Sequence, residues 1–237
     1  MQGAKATSLA PNLVSRFWII SVGKKVLMAV SGVVLIGYVT GHLIGNWQIF
    51  ISAERINAYA KFLHSLGPIL WAIRAFLAAW FILHIWSGIR VWWQNRGARP
   101  EPYRKQDTVQ ATLASRTMIW SGAALFAFVI YHLLHFTAHV TNPSYAAFEV
   151  GGHFDVYTMI VTGFRNPLIA LTYVVAMACV ALHLRHAFAS MFQTMGWNRN
   201  RTNHKLETLA LLYAWVVFIG YILIPISVLI GLVGGDV

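Results

Sequence analysis

Long stretches without charged residues constrain this chain more than any other feature of its sequence. Four stretches contain no Asp, Glu, Lys or Arg, and a fifth contains Arg74 alone. They cover residues 26–53, 117–148, 166–184 and 208–235 and, with Arg74, residues 66–89. A helix of about 20 apolar residues is long enough to cross the roughly 30 Å hydrocarbon core of a bilayer. The pattern therefore predicts five transmembrane helices.

The predicted fold is an all-α membrane protein, a five-transmembrane-helix bundle that forms a single domain over residues 1–237. The helices are expected over about 26–50, 67–94, 117–140, 167–191 and 207–233. The chain is 58% hydrophobic and only 11% charged, whereas about a quarter of the residues in a soluble domain are charged. A membrane β-barrel would instead show alternating hydrophobicity over segments of about ten residues.

Basic residues are concentrated in the segments that share one side of the predicted bundle. The formal net charge is +11, and Lys and Arg together number 18. If the N-terminus lies inside, the basic residues outside are Arg55, Lys61, Arg74 and Arg165. Because cytoplasmic loops of membrane proteins carry an excess of Lys and Arg, the pattern predicts a cytoplasmic N-terminus and an outer C-terminus. It also explains the charge without a nucleic-acid partner.

Cysteine usage and short motifs exclude several classes of cofactor site. The single cysteine, Cys179, allows no disulfide within the chain, and no CxxCH motif is present to attach haem covalently. One cysteine cannot hold an iron–sulfur cluster, and there is no GxGxxG nucleotide fingerprint. Residues 1–24 lack the layout of a cleaved signal peptide, so we expect the first apolar run to be retained as a helix.

The connections and the first helix carry weaker patterns. Residues 53–66 are amphipathic and predict a short helix. Loops are expected at residues 95–116, 141–165 and 196–206. In the first helix, the small residues Ser31, Gly32, Gly37 and Gly41 indicate either close helix packing or room for a flat macrocycle.

Histidine is costly at membrane depth unless something uses it. Four histidines lie 15–17 residues beyond the predicted start of their helices: His42, His84, His132 and His183. At 1.5 Å per residue, each lies roughly 24 Å from its entry face. Because successive helices alternate in direction, His42 and His132 fall toward the outer face and the other two toward the inner face. Two layers roughly 15–20 Å apart in a 30 Å core predict two bis-histidine haem sites.

The residue types favour haem over zinc, but the spacing leaves the choice of ligand open. Histidine is a common axial ligand of haem, whereas a zinc site usually needs more ligands at one depth. His135 lies three residues after His132, on the same helix face. His186 follows His183 in the same way. The member of each pair that does not bind iron is expected at the haem edge, near a propionate. Residues expected to balance propionate charge at the inner face, or to snorkel there, are Arg90, Arg185 and Lys205.

Several segments together resemble a known family. They are GKKVLMAVSGVVLIGYVTGHLIGN at 23–46, RINAYAKFLHSLGPILW at 55–71, LHIWSGIR at 83–90, ASRTMIWSG at 114–122, YHLLHFT at 131–137 and LHLRHAFASMFQTMGWN at 182–198. In this order they resemble the single-chain, five-helix, di-haem cytochrome b membrane anchor of succinate dehydrogenase and fumarate reductase. The resemblance covers nearly the whole chain except its N-terminal arm and residues 141–165.

The resemblance implies two haems b per chain and names their ligands. It implies the pair His42 and His132 for the outer haem, and the pair His84 and His183 for the inner haem. His132 is favoured over His135 by the HL dipeptide after an apolar run. His183 is favoured by the spacing to the glycine–tryptophan pair at 196–197.

The resemblance also implies partners and a place in the cell. The chain itself would be a non-catalytic electron-transfer subunit of complex II in the cell inner (plasma) membrane. A flavoprotein subunit with covalent FAD and an iron–sulfur subunit would dock on its cytoplasmic loops. Electrons from succinate would pass through FAD, the clusters and the haems to a membrane quinone, commonly menaquinone in di-haem members.

The quinone site and two alternative functions stay open at this point. Some family members place an acidic residue near the outer haem, and Glu54 is not assigned to that role. An outer site would use residues among Asn46, Glu54, His64, Trp71 and Arg74, and an inner site residues among Ser21, Lys24, Trp92 and His204. Arg74 has the alternative role of a propionate or lipid-phosphate partner.

The alternative functions are a cytochrome b of a formate dehydrogenase, hydrogenase or nitrate reductase, and a histidine-lined metal or proton transporter. The motif order disfavours the first, and the lack of an inverted repeat or midplane acid disfavours the second.

Overall fold

The computed structural model describes residues 21–97, 116–197 and 203–235, and it is 84% helical. The helices are α1 (Ser21–Asn46), α2 (Ala53–Ser65), α3 (Pro68–Gly97), α4 (Met118–Phe136), α5 (Val156–Phe164), α6 (Pro167–Thr194) and α7 (Asn203–Leu229). Strands β1 (Glu149–Val150) and β2 (His153–Phe154) form a small antiparallel hairpin, and 3-10 turns lie at Trp47–Phe50 and Pro143–Ala147. Of the two loops predicted after α3 and α6, residues 98–115 and 198–202 lie outside the described residues, and residues 95–97 and 203–206 are helical instead.

Five of these helices, α1, α3, α4, α6 and α7, are each long and apolar enough to cross a membrane. Many of their large apolar side chains are exposed, among them Leu168 at 73% and Val216 at 63%. Lipid tails are as apolar as these side chains, so exposure to a bilayer carries no hydrophobic cost. The prediction of a mainly helical fold with five helices long and apolar enough to span a membrane is confirmed for the described residues.

Seven ends of the five long helices differ by three to five residues from the predicted boundaries. The described part of α1 starts at Ser21, five residues before the predicted start, and includes Lys24 and Lys25, because charged side chains are tolerated at a membrane interface. α4 ends at Phe136, because His139 has a positive φ of 54° and the amide of Ala138 turns back to the carbonyl of Leu133 at 2.8 Å.

The bundle has two different ends. We call the end where α1 begins the amino end. The opposite end, which we call the capped end, is covered by α2, α5 and the hairpin. Side chains from these covering elements and from α6 and α7 form the largest buried apolar cluster of the described residues, including Ile56, Val161, Tyr173 and Val228.

The prediction that residues 141–165 form a loop is wrong for most of that segment, which contains a 3-10 turn, the hairpin and α5. The turn between β1 and β2 is made by Gly151 and Gly152, whose φ angles are 56° and 72°. Two consecutive positive φ values favour a tight hairpin turn. Asp155 caps α5, and its carboxylate accepts hydrogen bonds from the Thr158 amide at 3.0 Å and hydroxyl at 2.6 Å.

The same aspartate joins α5 to α2, the short helix that the sequence predicted. Asn57 of α2 donates to Asp155 Oδ1 at 2.9 Å, and the Tyr157 amide donates to Asn57 Oδ1 at 3.0 Å. Burial opposes ionisation of Asp155, but the hydrogen bonds from Thr158, Asn57 and Tyr157 outweigh it and hold the pKa below its ordinary value. A charged Asp155 therefore stabilises the capped end.

Helix α7, which carries no histidine within the apolar core, packs against α6 and α1. The hydroxyl of Tyr221 donates to the Val39 carbonyl at 2.7 Å, and Trp47 Nε1 donates to the Gly220 carbonyl at 2.8 Å. These bonds satisfy polar groups that have no water partner inside a bilayer. α3 packs chiefly on α1, and α4 packs on α6, so the remaining four helices form two pairs.

Candidate functional site

The four histidines predicted from depth lie as two close pairs inside the bundle. Toward the capped end, the rings of His42 on α1 and His132 on α4 have centroids 5.9 Å apart and planes at 82°. Toward the amino end, the rings of His84 on α3 and His183 on α6 have centroids 6.2 Å apart and planes at 65°. The structure brings together the same pairs that the alternating helix directions predicted.

Both separations suit two imidazoles on opposite sides of one metal ion. A metal–imidazole nitrogen bond is about 2 Å long, so two rings that ligate one ion in trans have centroids about 6 Å apart. Within the described ranges, no group of three or more His, Cys, Asp or Glu side chains could hold a metal ion. Two histidines alone are too few for tetrahedral zinc, but they complete the coordination of an iron whose other ligands come from a haem macrocycle. The donor set of each pair fits haem.

The distance between the two pairs follows from contacts along α1. Ser31 of α1 lies against His84 of the amino-end pair, with Oγ 3.0 Å from Nδ1. His42 of the capped-end pair follows eleven residues later on the same helix, which is a rise of about 16 Å. The predicted layer separation was roughly 15–20 Å.

The amino-end pair has a matched set of neighbours on α4. Ser121 Oγ lies 3.2 Å from Nδ1 of His183. Each serine hydroxyl also donates to a backbone carbonyl three residues earlier, that of Met28 at 3.0 Å for Ser31 and that of Met118 at 3.1 Å for Ser121. Both serines are buried, with exposures of 0% and 6%.

The glycine after each serine lies against the Cε1 edge of the histidine ring that its serine contacts. A Cβ built on Gly32 would lie 3.6 Å from Cε1 of His84, and one built on Gly122 would lie 3.6 Å from Cε1 of His183. The two halves of the amino-end site therefore have the same local geometry, as expected for two helix pairs related by an approximate two-fold axis along the bundle.

The sequence analysis gives Ser31 as a small residue that packs closely or leaves room for a macrocycle, but it assigns neither serine to a histidine, although a signal is present. Residues 31–42 read SGVVLIGYVTGH and residues 121–132 read SGAALFAFVIYH. The two segments share the serine, glycine, leucine, aromatic residue, valine and histidine at equal positions. Aligning α1 with α4 would have shown a parallel repeat that relates Ser31 to Ser121 and His42 to His132.

His135 occupies a different environment from His132. It is fully buried, and its Nδ1 lies 2.9 Å from the Tyr173 hydroxyl while its Nε2 lies 3.4 Å from the Tyr145 hydroxyl. Both ring nitrogens are thus occupied by phenols. The ring that faces His42 is that of His132, whose Nδ1 lies 3.3 Å from the Tyr173 hydroxyl. The geometry favours His132 as the ligand.

The other predicted contacts of the amino-end site lie at the surface or partly buried. His186 is half-buried on α6, one turn beyond His183, whose ring faces His84. Arg90 is exposed and its guanidinium lies 5.8 Å from the centroid of the Trp86 ring. Lys205 is exposed in the first turn of α7, and Arg185 is exposed on α6.

The α1 glycines near His42 border open space, whereas His132 is surrounded by the aromatic rings of Phe128, Phe136 and Tyr173. Among the described residues, no heavy atom outside the helix lies within 4 Å of a Cβ built on Gly37 or Gly41. Tyr38 stacks on the His42 ring at 5.5 Å with planes at 13°, and the side-chain amide of Asn46 donates to the His42 carbonyl at 2.7 Å. The small residues of α1 therefore leave room beside this pair.

Of the residues predicted for an outer quinone or propionate site, two are in contact with each other in the structure. The Arg74 guanidinium lies 5.0 Å from the centroid of the Trp71 ring, and both side chains are exposed on the capped-end half of α3. His64 is exposed on α2, and its Nδ1 lies 2.9 Å from the carbonyl of Ala60 in its own helix. Of the inner candidates, Ser21 has its side chain outside the description, Lys24 is buried, Trp92 is half-buried and His204 is exposed.

No protein-family model matches the chain, and neither a curated protein nor a solved structure shows significant similarity to it.

Proposed function

We propose that this chain is the di-haem cytochrome b membrane anchor of a succinate:quinone oxidoreductase. The observation that carries the proposal is the pair of ring contacts, His42 with His132 and His84 with His183, at centroid distances of 5.9 and 6.2 Å. Each pair supplies two imidazoles from two different helices, and the pairs lie at two depths of one apolar bundle. The motif order described above supports the assignment to the succinate dehydrogenase family.

In this function the chain holds two cofactors and excludes water from them. A haem b at each pair would supply reversible one-electron transfer at its iron. The two histidine pairs, about 16 Å apart along α1, would hold the haems, and the surrounding apolar side chains keep both sites at low dielectric. Burial and the hydrogen bonds of each imidazole adjust how readily an electron is accepted.

The two ends of the bundle would have different partners. The amino end, rich in basic residues, faces the cytoplasm in this proposal and receives the iron–sulfur subunit and the FAD-bearing flavoprotein. The chain is then a multi-pass subunit of the cell inner (plasma) membrane, with its C-terminus outside. It passes electrons from the partner subunits to a membrane quinone and carries no catalytic residue for succinate itself.

The proposed quinone is menaquinone, with Arg74 and Trp71 as its candidate contacts at the capped end. Their guanidinium–ring contact at 5.0 Å offers a positive donor beside an aromatic face, which suits a flat ring with carbonyl oxygens. His64, whose Nδ1 contacts the Ala60 carbonyl within α2, is a further candidate contact. The alternative role of this cluster is to bind a haem propionate.

The first test is spectroscopic. Purified protein should show a low-spin b-type spectrum when reduced, and the pyridine haemochrome should give about two haems per chain, one for each histidine pair. H42A or H132A should remove one spectral component, and H84A or H183A the other. H153A, which alters an exposed histidine in β2, is the control and should retain both.

The outcomes separate the alternatives. A chain that binds no haem would contradict every cytochrome b reading. Loss of components in a different grouping would contradict the pairing. Reduction of both components by succinate in the native complex would support the succinate dehydrogenase assignment, and reduction only by formate or hydrogen would point to another respiratory dehydrogenase.

A further inference from the structure

We propose that Ser31 and Ser121 are matched positioning residues that fix the tautomer of His84 and His183, so that Nε2 of each ring is the ligand nitrogen. The proposal rests on the proposed haem site and concerns the amino-end pair alone. It assigns a role to two buried serines on α1 and α4, the helices whose histidines form the capped-end pair.

The first step is the direction of the serine hydrogen bonds. A hydroxyl has one proton to donate. Ser31 Oγ lies 3.0 Å from the Met28 carbonyl, and Ser121 Oγ lies 3.1 Å from the Met118 carbonyl. A backbone carbonyl can only accept, so each serine proton is committed to its own helix. The oxygen of each serine then has only lone pairs to offer a second partner.

The second step is the proton on the imidazole. Nδ1 of His84 lies 3.0 Å from Ser31 Oγ, and Nδ1 of His183 lies 3.2 Å from Ser121 Oγ. In the proposed arrangement each Oγ accepts, and each Nδ1 therefore carries the donated proton. In a neutral imidazole with a protonated Nδ1, the lone pair that can bind a metal is on Nε2.

The third step is the effect on the iron. A ligating imidazole that donates its other N–H becomes more basic, and its ring is held in one orientation. A more basic ligand stabilises oxidised iron and lowers the reduction potential of the haem. Removing the serine oxygen should therefore raise the potential of the amino-end component.

The capped-end pair has different partners, which makes the effect specific. His132 Nδ1 lies 3.3 Å from the hydroxyl of Tyr173, which also lies 2.9 Å from His135. The Asn46 side-chain amide lies 3.3 Å from each ring nitrogen of His42. Neither contact reproduces the serine arrangement, so serine variants should leave the capped-end component unchanged.

The test compares S31A, S121A and the double variant with S227A in purified full-length protein. Ser227 is the matched control, because it is buried and donates to the Ile224 carbonyl at 2.9 Å in the same way, but on α7. Redox titration of the optical spectrum should show a raised potential for the component that H84A removes, in S31A and in S121A. The double variant should show a larger shift, and S31T, which retains the hydroxyl, should restore the wild-type value.

A second readout does not need haem. The ¹⁵N shifts of labelled imidazoles distinguish Nδ1–H from Nε2–H rings. They should report Nδ1–H for His84 and His183 in the wild type and a mixture of tautomers in the alanine variants. Unchanged potentials and unchanged tautomers in S31A and S121A, or an equal change in S227A, would overturn the positioning role. Absence of haem from a wild type whose tautomers are as expected would overturn the proposed function and leave the serine role standing.

Discussion

Two histidines three residues apart on α4 have different roles because their side-chain environments differ. His132 faces His42 across the bundle, whereas His135 is fully buried between the hydroxyls of Tyr173 and Tyr145. Burying a polar ring in this way is favourable only when its nitrogens are paired. His135 is therefore best described as a structural residue that holds α4 to α6 and to the 3-10 turn.

This difference predicts opposite results for two equivalent substitutions. H135F should retain both haem components but lower the stability by about 1–3 kcal/mol, because the Tyr145 hydroxyl loses this partner and the Tyr173 hydroxyl retains only its contact with His132. H132F should lose one component. Haem content and thermal unfolding in detergent measure the two effects. Loss of haem from H135F together with its retention in H132F would exchange the two roles.

At the scale of elements, the capped end depends on a close approach between α1 and α2. A Cβ built on Gly45 would lie 2.6 Å from Cε1 of the Tyr59 ring, so the short helix can lie against α1 only when residue 45 has no side chain. Oη and Cζ of the same ring would lie 2.8 and 2.9 Å from that Cβ, so the whole edge of the ring would have to move.

We therefore expect G45A to displace α2 and destabilise the protein by about 1–3 kcal/mol, the usual cost of overpacking. The matched control is G97A, since no described heavy atom lies within 4 Å of a Cβ at that position. Thermal unfolding and limited proteolysis of the capped end report the change. Equal unfolding temperatures for G45A and wild type would show that α2 does not need this contact.

The elements differ in how far they could be predicted. The five long helices were predictable because a membrane requires about 20 apolar residues for each crossing, and α2 because its amphipathic face is local in sequence. The sequence does not predict α5 or the hairpin, because glycines such as Gly151 and Gly152 are typical of loops as well as of tight hairpin turns, and a helix as short as α5 has too few residues for a clear apolar pattern. The Ser31–His84 contact depends on the rotation of α1 against α3, which hydropathy does not specify.

For the whole molecule, the basic amino end predicts the orientation in the membrane. A C-terminal alkaline phosphatase fusion should be active, because that enzyme works only outside the cytoplasm, and a green fluorescent protein inserted within residues 98–115 should fluoresce. The positive-inside pattern is the physical reason, since basic loops are retained on the cytoplasmic side. Inactive phosphatase at the C-terminus would reverse the proposed orientation and with it the docking face for the partner subunits.

Eleven residues separate Ser31 from His42 on α1, and the same number separates Ser121 from His132 on α4. Each helix therefore sets the distance between a contact of the amino-end pair and a histidine of the capped-end pair. Eleven residues are about three helical turns, so the serine and the histidine lie on the same side of their helix. The spacing of the two sites is thus set by covalent structure. A thinner or thicker bilayer changes the tilt of such helices, whereas the separation of the two histidine pairs along the helix stays the same.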